Sequence, residues 1–154
     1  MTVEIEDLRA CRVAYMRLVA PYGAETIPAL WERFIRWMEE RGLLTPDCLK
    51  LGIAHDSPRV IPPEQCRYDA CVVVANDFEA DDSVSVADLP GWKVGMTEFV
   101  GTASEVRTAG DALWASLTDA GRKPCSPFIE LYRGNPAVPG RPGVFKCQLC
   151  FALG

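Results

Sequence analysis

At 154 residues the chain is long enough for one domain with a substantial core, and 49% hydrophobic against 24% charged residues is the balance of a globular protein. A net charge of -5 with scattered Lys and Arg argues against direct nucleic-acid binding, which needs a concentrated basic surface. No apolar run approaches the roughly 20 residues of a membrane span, and the acidic start does not have the form of a signal peptide, so a cytoplasmic protein without membrane contact is expected.

Residues 3–19, VEIEDLRACRVAYMRLV, mix β-branched and apolar residues with partial alternation and predict a strand, broken by Ala20-Pro21-Tyr22-Gly23. A helix follows from about Glu25 to Arg41. Ile27, Leu30, Trp31, Phe34, Ile35 and Met38 recur at three- and four-residue spacing, and Gly42 stops it. CLKLGIA, a Pro-rich turn and CRYDACVVV then predict two further strands. Residues 76–88 have no apolar period and carry Asp77, Glu79, Asp81, Asp82 and Asp88, as a solvated connection would.

The second half repeats that order. WKVGMTEFVG predicts a strand, and residues 104–121 a helix with Ser104 as N-cap and Val106, Ala109, Leu113, Leu117 and Ala120 on one face. SPFIELY and VFKCQLCFAL predict two strands around a second Pro-rich loop, PAVPGRPG. Ala-Leu-Trp occurs in both helices, at Ala29-Leu30-Trp31 and Ala112-Leu113-Trp114. The expectation is one α+β domain over 1–154 built from a duplicated β-α-β-β module. Its first repeat is 1–75, its acidic connection 76–88 and its second repeat 89–154. Pseudo-twofold symmetry, an antiparallel sheet and two main helices follow. One helix on three strands buries too little apolar area to stand alone, so the halves must associate, and the cleft between them is the natural place for a ligand.

Glu130 stands out in SPFIELY, between Phe128-Ile129 and Leu131-Tyr132, because an unpaired buried charge is costly. Either it faces solvent or pairs with an Arg such as Arg12 or Arg17, or it forms the floor of an aromatic pocket for a cationic or hydrogen-bonding ligand. Candidate walls are Tyr15, Trp31, Trp92, Trp114, Phe128 and Tyr132.

His55, the one histidine, sits beside Asp56 at a strand-to-turn junction and reads as a locally bonded turn residue, since no nucleophile motif accompanies it. Seven cysteines form no even framework. Cys147 and Cys150 lie in a strand, where i and i+3 point to opposite faces, so they read as structural thiols rather than a zinc site. No cofactor or metal motif is present.

The stretch LGIAHDSPRVIPPEQCRYDACVVV closely resembles the signature of the GyrI-like effector-binding (SOUL/SbmC-like) domain family, with its His-Asp-x-Pro segment, Pro-Pro-Glu loop and Arg-Tyr-Asp-Ala strand. WERFIRWMEERGLL is similar to that family's first helix, and FIELYRGNP to its second-half Glu-x-Tyr strand and turn. The likeness runs through essentially the whole chain. It departs at Ala20-Pro21-Tyr22, where the family has Gly-Pro-Tyr, and at Gly101-Thr102-Ala103.

The resemblance implies the duplicated fold and a cleft for a hydrophobic or cationic small molecule. The acidic residue maps onto Glu130 and the aromatic walls onto Tyr15, Trp114 and Tyr132. A binding protein that sequesters or senses its ligand is the leading expectation. No catalytic residue is assigned in that case; the alternative, a hydrolase of strained cyclopropane-type toxins, would use Glu130 and Tyr132. A third reading is interaction with a protein partner such as DNA gyrase or a regulator.

Overall fold

Eight strands and two α-helices follow one another in the computed structural model, which describes residues 1–23, 25–133 and 143–154. The elements are β1 (Glu4–Leu8), β2 (Cys11–Val19), α1 (Thr26–Glu40), β3 (Leu49–Ala54), β4 (Arg67–Val74), β5 (Ser85–Leu89), β6 (Trp92–Gly101), α2 (Val106–Asp119), β7 (Pro124–Arg133) and β8 (Phe145–Leu153). Among the described residues no helix is long and apolar enough to cross a membrane. The second Pro-rich loop lies, except for Gly143, outside the described residues.

All strands join one open antiparallel sheet in the order β1-β6-β8-β7-β3-β4-β2-β5. The three strands of one repeat (β2, β4, β3) and of the other (β6, β8, β7) are laid out symmetrically, and they meet where β3 pairs with β7. That is the duplicated β-α-β-β architecture with its pseudo-twofold axis at the β3–β7 seam. Only Arg9 and Ala10 separate β1 from β2, which sit near opposite ends of the sheet, and two residues bridge no more than about 10 Å. The sheet therefore curls until its ends approach. A Cβ added to Gly91, in the β5–β6 turn, would lie 3.0 Å from the Leu8 carbonyl oxygen.

Each face of the curled sheet has its own core. On one face α1 packs against β2 and β4, and α2 against β6, β8 and β7. Trp31, Phe34 and Met38 of α1 and Leu113 and Leu117 of α2 are buried there with Ala14, Ala70 and Leu149. The other face encloses Val13, Ile53, Cys71, Met96, Ile129 and Leu131. Cys147 belongs to the helix-side core and Cys150 to the opposite one, as strand alternation requires.

Three local readings are corrected. Residues 3–19 form two strands, and the first joins the other half through β6, because the pairing of Glu4 to Leu8 with Met96 to Trp92 is a long-range choice that alternation does not encode. Residues 85–89 form β5 within and just beyond the stretch read as a connection; five residues with Ser and Asp become a strand only by pairing with Cys11 to Tyr15. The cap before α2 is Thr102, not Ser104. Glu105 accepts from both the Thr102 N–H (3.0 Å) and its hydroxyl (2.9 Å), and Ser104 falls inside the short 3₁₀ turn that leads into the helix.

Trp37 is also buried, although it lies beside the expected apolar stripe of α1. Its indole N–H donates to Asp81 at 3.0 Å, and Arg41 pairs with the same carboxylate at 2.7 Å, so the acidic segment is tied to the helix.

Candidate functional site

The β3–β7 seam runs between the two helices. Register places Gly52 opposite Glu130, Lys50 opposite Tyr132 and Ala54 opposite Phe128. On the other side of β3, Gly52 meets Ala70 and Ala54 meets Tyr68. Alternation then sends Phe128, Glu130 and Tyr132 of β7, with Tyr68 of β4, to the helix side.

Glu130 is 6% exposed. Its carboxylate accepts a short hydrogen bond from the Tyr68 hydroxyl, which reaches diagonally across β3. The Trp31 indole N–H donates to the same Tyr68 oxygen at 2.9 Å. Trp31, Tyr68 and Glu130 thus form a chain from α1 through β4 to β7. The Tyr132 ring packs edge-on against Trp31 with centroids 5.8 Å apart. Its buried hydroxyl has no hydrogen-bond partner among the described residues, although it is close enough to act on the carboxylate.

Gly52 makes the diagonal contact possible. A Cβ there would come within 2.1 Å of the Tyr68 hydroxyl oxygen and 2.3 Å of Glu130 Oε1. No side chain fits under the phenol.

The electrostatics follow from burial. Desolvation pushes the Glu130 carboxyl up to about 7, opposed by the hydroxyls of Tyr68 and then Tyr132. Burial next to that carboxylate raises both phenols well above their usual range. The Cys147 thiol is raised by the same burial and by Glu130. Among the described residues, the side chains that act on the Glu130 titration are the hydroxyls of Tyr68 and Tyr132.

The expected site residues divide into three groups. Glu130, Tyr132 and Trp31 come together. Phe128 shares their face but sits under α2 in a second aromatic cluster with Phe151 (centroids 4.7 Å); Trp114, 38% exposed, completes it at 5.1 Å from Phe151. Tyr15 and Trp92 pack with the opposite core, because their strands turn them to the other face of the sheet. Arg12 and Arg17 do not serve Glu130: Arg12 pairs with Asp88 at 3.2 Å, and Arg17 holds Asp69 through two hydrogen bonds of 2.8 and 2.9 Å. Trp31 and Tyr132 are both fully buried at the seam. Two shallow surface depressions of about 410 Å³ each lie elsewhere, one beside Tyr15, Arg17 and Arg33 and the other beside Met1, Met96 and Gln148.

The Arg-Tyr-Asp-Ala strand acquires a physical meaning residue by residue. Arg67 returns to Asp56 with two bonds of 2.9 Å, and its own N–H donates to the same carboxylate at 2.9 Å. Tyr68 enters the site. Asp69, on the other face, takes Arg17 and, at 2.7 Å, His55. Ala70 leaves room beneath the helices. Burial pushes the Asp69 carboxyl up, but Arg17 and His55 more than offset it, and Arg67 holds Asp56 down at about 2. His55 and Asp56 therefore clip the β3–β4 loop that positions Tyr68, as a locally bonded turn would. Asp56→Ala, which removes the ion pair and the acceptor for a backbone N–H together, is expected to cost about 1–2 kcal/mol in urea unfolding. An unchanged midpoint would show that the clip carries no stability.

Tyr68 and Gly52 are the two residues that sequence reasoning did not assign to the site. The signal for Tyr68 was its position two residues before Ala70, on the face opposite the ion-paired Asp69. For Gly52 it was a glycine inside an apolar strand, a sign of close approach by another group.

The GyrI-like small molecule binding domain matches residues 1–153, and the chain belongs to that family. It is 39% identical over 93 residues to YosT, an SPbeta prophage-derived protein of Bacillus subtilis (strain 168) named as a transcriptional regulator. That match covers 60% of this chain and 62% of YosT, less than two thirds of the relative's length. A DNA gyrase inhibitor of Serratia proteamaculans (strain 568) is 30% identical over 129 residues, covering 80% of this chain and 81% of its own.

Among solved structures, the EcmrR C-terminal domain superposes with a TM-score of 0.76 at 14% identity, covering 99% of this chain and 97% of that one. SAV2435, in a complex with tetraphenylphosphonium, superposes at 0.64 and 15% identity, covering 100% and 94%. At these identities the structural likeness establishes the fold.

Proposed function

We propose that this protein binds a hydrophobic, cationic small molecule at the β3–β7 seam, with Glu130 as counter-ion, and so sequesters or senses it. The observation that carries the reading is a buried carboxylate that, among the described residues, takes its hydrogen bond from the Tyr68 phenol and has its titration lowered by the hydroxyls of Tyr68 and Tyr132 and by no basic group. A cation brought against it supplies the missing charge in a water-poor setting. Trp31 and Tyr132 add ring faces worth about 0.5–2 kcal/mol per cation contact. Membership in a small-molecule binding family supports the reading, and so does the lipophilic cation bound by SAV2435.

Tryptophan fluorescence titrated with tetraphenylphosphonium and with neutral triphenylphosphine oxide tests it. The cation is expected to bind saturably, and Glu130→Gln to weaken it at least about tenfold while changing the neutral compound little. Equal affinity of both proteins for the cation would remove Glu130 from this role.

A further inference from the structure

Lys50 is a basic group on the helix-side face of the seam, and the role proposed for Glu130 makes no use of it. It is 0% exposed, two residues before Gly52 and directly opposite Tyr132. Its Nζ donates to the Sγ of Cys48 at 3.5 Å, the two side chains lying on one side of the chain with Leu49 between them. Lys50 is wholly enclosed, whereas Cys48 is half-buried just before β3, so a small oxidant in solvent meets the thiol first.

We propose that Cys48 and Lys50 form an oxidant-sensitive crosslink, a reversible sulfenamide between Sγ and Nζ, in response to hydroperoxides. In the first step the Cys48 sulfur attacks hydrogen peroxide as the thiolate, its proton going to the departing hydroxide. The O–O bond breaks, sulfur gains a hydroxyl as sulfenic acid, and one water leaves. In the second the Lys50 amine attacks that sulfur. An S–N bond forms, the S–O bond breaks, and the hydroxyl departs with an amine proton as a second water. One peroxide is reduced, one thiol sulfur is oxidised by two electrons, and the pair loses two hydrogens in all.

The geometry favours this outcome over further oxidation because the amine is already against the sulfur, whereas a second peroxide must diffuse in. Burial lowers the Lys50 ammonium below its ordinary range, which raises the share of the neutral amine that the second step needs, although the neighbouring Cys48 opposes this shift. A dithiol reverses the bond by attack on sulfur and returns both side chains. The crosslink does not depend on the ligand reading and is measured without any ligand.

Trypsin reads the bond directly, since Lys50 is its cleavage site between Arg41 and Arg59. After treatment with hydrogen peroxide and blocking of free thiols, the whole protein is expected to lose about 2 Da. Peptide 42–59 should then appear uncut at Lys50, two hydrogens lighter, and dithiothreitol should restore both the mass and the cleavage. Cys48→Ser should keep Lys50 fully cleavable after the same treatment. Lys50→Arg should leave Cys48 to take up oxygen instead; the serine variant at the half-buried position keeps the test valid if the arginine variant fails to fold. Cys48 oxidised to sulfinic acid with Lys50 still cut, Cys48 joined to another thiol, or Cys48 unchanged would each overturn the proposal.

Discussion

Gly52→Ala is expected to destabilise the protein by about 3–5 kcal/mol, although it adds one methyl group to a strand interior where alanine is ordinarily tolerated. The added Cβ would stand 2.1 Å from the Tyr68 hydroxyl oxygen, 2.3 Å from Glu130 Oε1 and 2.9 Å from Tyr68 Cζ. Contacts below 3.0 Å force movement, and the groups involved are poorly placed to give way. Tyr68 is pinned by the Trp31 indole, and Glu130 sits on a strand paired on both sides.

If the phenol swings out, Glu130 loses its hydrogen-bond donor while it stays buried, which costs about 1.5–3 kcal/mol for a charged acceptor. Overpacking adds about 1–3 kcal/mol. A loss of that size is a large part of the 5–15 kcal/mol stability of a typical domain. Urea unfolding of wild type, Gly52→Ala and Tyr68→Phe separates the terms, since Tyr68→Phe removes the hydrogen bond without the clash. A Gly52→Ala protein as stable as wild type would mean that β3 can move away from the pair, and the tight diagonal would lose its structural meaning.

This position also shows how much of the site was legible in the sequence. The duplicated module was readable because its signals are local: two helices with apolar stripes, two Pro-rich stretches of sequence and strands rich in β-branched and apolar residues. Glu130 was readable because one carboxylate among Phe128, Ile129, Leu131 and Tyr132 contradicts its surroundings. Which rings surround it was not, since strand phase and sheet order decide that together. Trp31 and Tyr132 meet at Glu130 only because β3 brings β4 and β7 to its two edges. Tyr15 and Trp92 are as aromatic as Trp31, but one step of strand phase turns them to the other core. Tyr68 was quoted as part of a motif, and its reach to Glu130 depends on Gly52, a contact across three strands that no single stretch of sequence contains.

Glu130→Gln is expected to remove a stability loss that wild type suffers between about pH 4.5 and pH 7. The folded carboxyl is raised from 4.5 to about 7 by desolvation, so across that interval the folded protein holds a proton that the unfolded chain has released. The slope of unfolding free energy with pH has the sign of protons bound unfolded minus folded, which is negative here, so stability falls as pH rises. The contribution is fully present below about 4.5, declines through the folded value near 7 and amounts to on the order of 3 kcal/mol.

Asp56 and Asp69 act in the opposite sense, because their folded carboxyls are lowered and their stabilisation is lost only as pH falls below about 3.8. The two windows barely overlap. Glutamine keeps an oxygen for the Tyr68 hydroxyl and carries no charge, so the variant should be flat where wild type slopes and the more stable protein at pH 8. Urea unfolding of both at pH 4.5, 6 and 8 measures the difference directly and cancels groups common to both. Parallel curves would mean that Glu130 is solvated or neutralised by a partner, and a buried carboxylate waiting for a cation would no longer describe this site.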